Sequence, residues 1–432
     1  MRILHLPASF LPYYTGGKEV FVAHLATALQ EMGHENRVAI HSTERIPPDV
    51  SRYEYQGIPV NVLPPASVTH AQYWRSEATF DDSFEQLLKD FQPDIVHFHD
   101  QSGGASFSHM RIVKRLGIKT LLTYHSPGQS CPQRALLYRG KYLCDGKLDE
   151  KRCTECLYAC KGVPVWGGRV LTQLSLSFGN TETNRLKRFL SLPTSVKQYI
   201  DSFREIYALV DGIQVHAHWA KDLMVANRVA QNKIFFAPQA IPDFLLDTGD
   251  NFLNQNATFS LKLVFVGRCT YIKGVHVLID AIRLLPKDFP VEVHFLGPYW
   301  DSTDYGRKML KRIKGDKRFH RPILLPPAQV ITFLRTMDAV VVPSLWPETG
   351  PFVVLEAFRA GVPVIGTRAA GIAERVEHLK SGLLFDWGNA QQLAECIKLL
   401  LQRKKHNQKF DIPVLPDVKQ MATEILKIYQ SL

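Results

Sequence analysis

From its first residues the chain alternates short apolar, β-branched runs with longer stretches in which apolar positions recur every three to four residues. Period-two or continuous apolar runs of four to eight residues suit strands, and the longer period suits amphipathic helices. The pattern predicts strands at Ile3 to Leu6, Glu35 to His41, Val60 to Leu63, Ile95 to Phe98, Thr120 to Tyr124 and Gly212 to His216. Helices fall between them, most clearly at Lys18 to Met32 and Phe80 to Phe91. The pattern then restarts, with strands at Leu261 to Val266, Val291 to Leu296, Ala339 to Val342, Val364 to Gly366 and Leu383 to Phe385. Strands alternating with helices argue α/β class, with parallel sheets covered on both faces and doubly wound. Two such sets predict two Rossmann-like domains.

The Asn-rich, aperiodic segment 248–258 separates the sets and reads as a linker. The expected organisation is therefore a first domain at 1–247, a linker at 248–258, a second domain at 259–414 and a closing segment at 415–432. That closing segment contains a helix, Val418 to Tyr429, expected to pack back on the first domain. Within the first domain, residues 127–165 interrupt the βα rhythm and read as an insert. At 432 residues with 45% hydrophobic positions, the chain is long enough for two substantial cores.

No run approaches the roughly twenty apolar residues of a membrane-spanning helix. The start, Met1 to Pro7, is broken by His5 and Pro7 and lacks the apolar core of a secretory signal, so a cytoplasmic location is expected. The net charge of +11 is unevenly spread: residues 101–200 hold sixteen Lys or Arg against five Asp or Glu. A basic strip favours anionic partners. Without a nucleic-acid-binding motif beside it, nucleic acid is not expected, whereas peripheral contact with the inner face of a membrane is.

Candidate chemistry gathers where predicted strands end. After Ala339 to Val342 comes Pro347-Glu348-Thr349-Gly350-Pro351-Phe352-Val353-Val354-Leu355-Glu356. Thr349 or Gly350 suits an N-cap and Pro351 a first helical residue, so a helix should open here and present unpaired N–H groups to an anion such as a diphosphate. Glu356 can accept hydrogen bonds from a vicinal diol such as a ribose, and Glu348 can reach another part of the same ligand. Gly267-Arg268 with Lys273-Gly274 follows the strand Leu261 to Val266: a close backbone approach and two cations, a second phosphate-binding element. Gly16-Gly17 turns the chain after the first strand. His99 and His125 each sit at the carboxyl end of a predicted strand, where open α/β sheets bind ligands.

Together these segments resemble the family-4 retaining glycosyltransferases of the GT-B type. The resemblance runs from Gly16-Gly17 and Gly33-His34 through Pro93-Asp94, His97 and His99 to Gly267-Arg268 and Lys273-Gly274. It continues through Glu348 and Glu356 to 360–366, Gly371 and 382–385. It implies a GT-B fold, two Rossmann-like domains facing a cleft, and transfer of a sugar from a nucleoside diphosphate sugar to a saccharide or lipid-linked acceptor, in glycan or polysaccharide biosynthesis. It further implies that Glu356 binds the ribose and that Arg268 and Lys273 hold the diphosphate. Glu348 and His125 would act at the sugar, and Gly16, Gly17, Thr349, Gly350, Pro351, Phe352 and Val353 would complete the donor site. No catalytic metal is expected. His99, Arg134 and Arg139 are candidates for the acceptor side. A sugar-nucleotide epimerase of the same fold, or a non-catalytic nucleotide-sugar-binding or zinc scaffold protein, would share these folds.

The sequence departs from the usual pattern at Pro351, which removes one backbone donor, at 215–219, where two histidines and a Trp stand, and in its cysteines. Five of the seven cysteines, Cys131, Cys144, Cys153, Cys156 and Cys160, lie directly after His125. Cys153-Thr-Glu-Cys156 has the spacing of a metal knuckle. A structural zinc on Cys131, Cys144, Cys153 and Cys156, with Cys160 as a substitute ligand, is expected. An iron–sulfur cluster would use the same ligands.

Overall fold

The computed structural model describes residues 1–173, 184–241 and 260–432, so the expected linker at 248–258 lies outside the described residues. The chain divides into two compact units, Met1–Gln239 with Val418–Leu432, and Ala240–Asp417. The first boundary falls ahead of the expected 247 because Ile241 is buried against Ile331 and Leu355 of the second unit.

In the first unit, β1 (Arg2–Leu6), β2 (Glu35–His41), β3 (Arg52–Tyr55), β4 (Ile58–Leu63), β5 (Ile95–Phe98) and β6 (Lys119–Thr123) come first in the chain. After a small hairpin of β7 (Leu137–Tyr138) and β8 (Tyr142–Leu143) come β9 (Gly212–Val215) and β10 (Ile234–Phe236). Among the described residues, eight of these form one sheet in the order β10-β9-β6-β5-β1-β2-β4-β3. All pairs are parallel except β3 with β4. Both faces are covered, which is why Ile3, Leu4, His5 and Leu6 are all fully buried although they point alternately to opposite sides. The short edge strands β3 and β10 were not foreseen. Three- and four-residue strands carry too little periodicity to register.

The terminal helix Val418–Ser431 belongs to this unit and packs on the helix Gly17–Glu31. It buries Met421, Ala422, Ile425, Ile428 and Tyr429. Its Tyr429 hydroxyl lies 2.7 Å from His97 Nδ1, tying the chain's end to the middle of the sheet.

The second unit holds β11 (Leu261–Val266), β12 (Val291–Leu296), β13 (Ala339–Val342), β14 (Val364–Thr367) and β15 (Gly382–Phe385), paired in the order β12-β11-β13-β14-β15 and all parallel. Single bridges from β12 to Phe319 and Ile323 extend the sheet beyond β12. Alternate strand residues feed two cores. Leu263, Phe265, Val341 and Ile365 pack with the helices Val275–Leu284 and Ala390–Lys405. Val264, Val340, Val342 and Val364 pack with the helix Phe352–Arg359. The strand order reverses at β1/β5 in the first unit and at β11/β13 in the second. Those reversals open a crevice at the carboxyl ends of the strands, where ligands settle in such sheets.

Candidate functional site

The second unit's crevice collects most of the predicted donor-site residues. Lys273 follows the short turn after β11, and Gly274 adopts φ 71° with its α-carbon pressed on the Pro343 carbonyl, so any side chain there would collide with the end of β13. The Leu345 amide donates to the Ile272 carbonyl at 2.8 Å, closing the two strand ends on each other. This approach brings Lys273 Nζ to 2.6 Å from Glu348 Oε1, and the Ser344 hydroxyl donates to the same oxygen at 2.8 Å. Glu348 is 8% exposed, so its charge is held by these donors rather than by bulk water. The Gly371 amide donates to the Glu348 carbonyl at 2.8 Å, and a Cβ at Gly371 would meet that same oxygen.

The helix after Glu348 opens one residue later than expected. Phe352–Arg359 is helical and Pro351 is its N-cap, with φ −70° and ψ 116°. Proline fixes φ but not ψ, and here the extended ψ places Thr349, Gly350 and Pro351 all before the first turn. The Pro351 carbonyl accepts from the Val354 amide, while the amides of Phe352 and Val353 belong to the first turn, where no intrahelical acceptor exists. Glu356 lies one turn further on. Burial raises its carboxyl to about 7, with no cation or donor among the described residues to offset the cost. Arg268 is exposed and makes no ion pair among the described residues.

The first unit's crevice is built on histidines. His5 Nε2 lies 3.1 Å from Asn36 Oδ1, His5 Nδ1 lies 3.2 Å from His99 Nε2, and His99 Nδ1 lies 3.2 Å from His125 Nε2. Because Asn36 Oδ1 can only accept, His5 carries its proton on Nε2 and accepts on Nδ1. The same alternation then runs outward, giving His99 and His125 Nε2–H tautomers and leaving His125 Nδ1 as an acceptor. Burial pulls His5 down to about 4 and holds His99 and His125 well below the usual imidazole range, so the neutral chain is stable at physiological pH. Phe21 stands edge-on to His125 at 5.1 Å and to His216 at 4.8 Å. Gln129 fixes the turn, its Oε1 accepting from the His125 amide at 2.7 Å and its Nε2 donating to the Thr123 carbonyl at 3.0 Å.

Gly16 caps the helix Gly17–Glu31, and its α-carbon leaves room for the Glu19 carboxylate. Next to it, Lys18 Nζ pairs with Asp100 Oδ2 at 2.5 Å, and Ser9 donates to Glu19 at 2.6 Å. Sequence reasoning missed His5, Lys18, Glu19, Asp100 and Ser344. Lys18 and Asp100 were findable, since each directly adjoins a residue already singled out at a strand end.

Of the residues expected on the acceptor side, Arg134 lies over the Tyr73 ring at 4.5 Å and Arg139 over the ring of its neighbour Tyr138 at 4.8 Å. Both have left-handed backbones, Arg134 in the loop after Cys131 and Arg139 in the turn between β7 and β8. The insert brings Cys131, Cys144, Cys153 and Cys156 around one small cavity, with Cys160 outside its lining and exposed. Their sulfurs are not gathered to one point. Among the described residues, the groups with ligand atoms all within 4.8 Å are His5, His97 and His99, and Glu292, His294 and His320. The first of these groups already spends its nitrogens on the hydrogen bonds above and on Tyr429 and Thr123.

Residues 253–412 match the family described as glycosyl transferases group 1, and residues 15–153 match glycosyltransferase family 4. The fold is of the GT-B type, with one glycosyltransferase family model matching in each unit. A D-inositol 3-phosphate glycosyltransferase of Arthrobacter is 33% identical over 32% of this chain and 34% of its own length. The alignments to such curated relatives thus span about a third of their length. A capsular polysaccharide biosynthesis glycosyltransferase, CapH of Staphylococcus aureus, is 26% identical over 59% of this chain and 72% of its own. Among solved structures, Anabaena HepE in complex with UDP superposes with a TM-score of 0.64 at 15% identity, covering all of both chains. Sucrose-phosphate synthase from Thermosynechococcus elongatus gives 0.64 at 15% identity, covering 99% of this chain and 94% of the other. At these identities the likeness establishes the fold. No described helix is long and apolar enough to cross a membrane.

Proposed function

We propose that this protein is a retaining glycosyltransferase that moves a sugar from a nucleoside diphosphate sugar to a saccharide or lipid-linked acceptor in glycan or polysaccharide biosynthesis. The observation that carries the reading is the Lys273–Glu348 pair at the β11/β13 reversal, followed by a helix start and then by Glu356. Cations, unpaired amides and two carboxylates in that order suit a diphosphate flanked by a ribose on one side and a sugar on the other. As the anomeric bond breaks, negative charge grows on the diphosphate, and Lys273, Arg268 and the amides of Phe352 and Val353 stabilise it. Glu348, held rigid by Lys273 and Ser344, takes hydroxyls of the sugar. Glu356, costly to ionise while it lacks donors, takes the ribose diol.

The first unit supplies the acceptor side. His125, in the tautomer set by His99 and His5, is turned toward the transferred sugar, and no carboxylate of the sites described is placed as a covalent nucleophile. The resemblance to the family-4 retaining enzymes then implies same-face attack by the acceptor, with retention of configuration. The basic strip at 101–200 suits an anionic membrane surface carrying a lipid-linked acceptor. Neither the epimerase nor the scaffold reading is favoured by the relatives. A thermal-shift panel of nucleotide sugars tests the donor assignment, because a ligand that binds only the folded state raises the melting temperature. No shift with any nucleotide sugar, or equal shifts in wild type and Glu356→Ala, contradicts it.

A further inference from the structure

The cysteine insert has a construction that sugar transfer does not require. Three separate segments deliver its sulfurs to one cavity: the loop after His125 brings Cys131, the strand-end turn after β8 brings Cys144, and the helix Glu150–Cys160 brings Cys153 and Cys156 one turn apart. Pro132, Leu137 and Tyr138 fill the rest of the lining, with Arg152 and Lys147 at its edge.

The backbone around these sulfurs is shaped to serve thiolates. The amides of Leu136, Gln133 and Ala135 all address the Cys131 sulfur, and the Gly146 amide addresses that of Cys144. The Arg139 amide donates to Cys156 Sγ at 3.0 Å. In this stretch Arg134, Leu136 and Arg139 stand at φ 64°, 50° and 55°, left-handed conformations that side-chain-bearing residues adopt at a cost. Of these three, Leu136 and Arg139 turn their amides toward a cysteine sulfur, whereas the Arg134 amide donates to the Cys131 carbonyl at 2.8 Å. Arg152 stands beside the sulfurs, its Nη2 3.9 Å from Cys144 Sγ. Burial nevertheless raises the thiols of Cys131 and Cys144 and pushes that of Cys153 up to about 12. Four cysteines from three segments lining one small cavity, with backbone donors turned toward their sulfurs, suit a positive centre among the four.

We propose that Cys131, Cys144, Cys153 and Cys156 form a tetrathiolate centre for a soft metal, either a zinc ion or an iron–sulfur cluster, that holds the turn bearing His125. Cys160 borders the set: it is exposed and absent from the cavity lining, and its sulfur accepts from Gln133 Nε2 at 3.0 Å and touches that of Cys156. Loading displaces the thiol protons, as thiolate coordination requires. The consequence for the first crevice runs through two residues. Gln129 clamps the His125 amide, and Ser130, 2.6 Å from the Tyr124 hydroxyl, leads directly into Cys131. Fixing Cys131 to the metal therefore fixes the turn that aims His125. This effect on His125 matters for transfer only on the function proposed above, whereas the metal itself is measured independently of that function.

The test uses the full chain, purified without chelator under reducing conditions. Elemental analysis should find about one zinc per chain, or roughly four iron with absorption in the visible; either result supports the tetrathiolate centre and the spectrum tells the two apart. Cys160→Ser should retain the metal, and Cys153→Ser/Cys156→Ser should lose it while still binding nucleotide through the second unit. If the double variant does not fold, organomercurial titration of wild type replaces it, with metal release tracking modification of the buried thiols. Protein with neither metal, or a Cys160→Ser variant that loses metal as completely as the double variant, overturns the proposal.

Discussion

Glu356 offers a sharp test of the donor site because its ionisation and its proposed task are opposed. Its carboxyl is raised to about 7 by burial, against an ordinary value near 4.5. The sign follows directly: the folded protein binds a proton here between pH 4.5 and 7 that the unfolded chain does not, so this group's contribution to stability is lost as pH rises through 7. At about 1.4 kcal/mol per unit, and with the partial exposure of the side chain discounted, ionised Glu356 costs the unliganded protein ~1–3 kcal/mol above pH 7. Glu356→Gln should therefore raise the melting temperature at pH 8 by several degrees. A ribose diol donating two hydrogen bonds favours the carboxylate, so nucleotide sugar binding must expel the proton. A group with pKa about 7 is half protonated at pH 7 and roughly nine-tenths protonated at pH 6. Calorimetric titration in buffers of different ionisation enthalpy should show release of about half a proton at pH 7, close to one at pH 6 and almost none at pH 8. A nucleotide sugar suits the titration because its diphosphate has no ionisation of its own near neutrality. Zero linkage at pH 6 to 7, or the same linkage in Glu356→Gln, refutes the assignment of Glu356 to the ribose.

Lys273→Ala should weaken nucleotide sugar binding by roughly ten- to a hundred-fold, the scale of a lost charged hydrogen bond, with the Glu348 carboxylate left short of a partner; calorimetry reads it, and unchanged affinity contradicts it. Glu348→Gln should leave nucleotide affinity within a few-fold of wild type while cutting turnover by at least a hundred-fold. His5→Ala should disturb the tautomer of His125 two rings away and lower turnover without changing nucleotide affinity, a split that a purely structural loss would not give. Protonation of the histidine chain opposes folding: His5 is lowered to about 4, so stability should fall as pH drops below 6.5 toward 4, and chemical denaturation at pH 7 and 5 checks it. Sedimentation with liposomes should recover more protein on anionic than on neutral vesicles, and equal recovery would dismiss the membrane role of the basic strip.

The βα rhythm was legible because buried parallel strands need continuous apolar runs, and Ile3 to Leu6 or Ala339 to Val342 can hardly be read otherwise. The parts of the proposed donor site could be singled out because they are local: Glu348 and Glu356 stand eight residues apart and Lys273 beside its glycine. What the sequence could not show was which distant pieces meet. Nothing in it pairs Lys273 with Glu348, 75 residues away, and the pairing depends on Gly274 letting the turn settle on Pro343. His5 was invisible for the opposite reason, as one polar residue inside a strand reads as an interruption until His99 and Asn36 are seen on either side of it. The start of the helix at Phe352 instead of Pro351 turned on ψ, the angle that proline leaves open.

The central claim is that a nucleotide sugar bound by Lys273 and Glu356 is cleaved at its anomeric bond under the control of Glu348. NMR of the best-binding nucleotide sugar, labelled at the anomeric carbon and incubated with wild type and Glu348→Gln, tests it with water standing in for the acceptor. Wild type should release nucleoside diphosphate slowly to water, with the sugar appearing first in the anomeric form it had in the donor, and Glu348→Gln should bind the donor but release almost none. An epimerised sugar, an inverted first product, or equal release by both proteins would contradict the account.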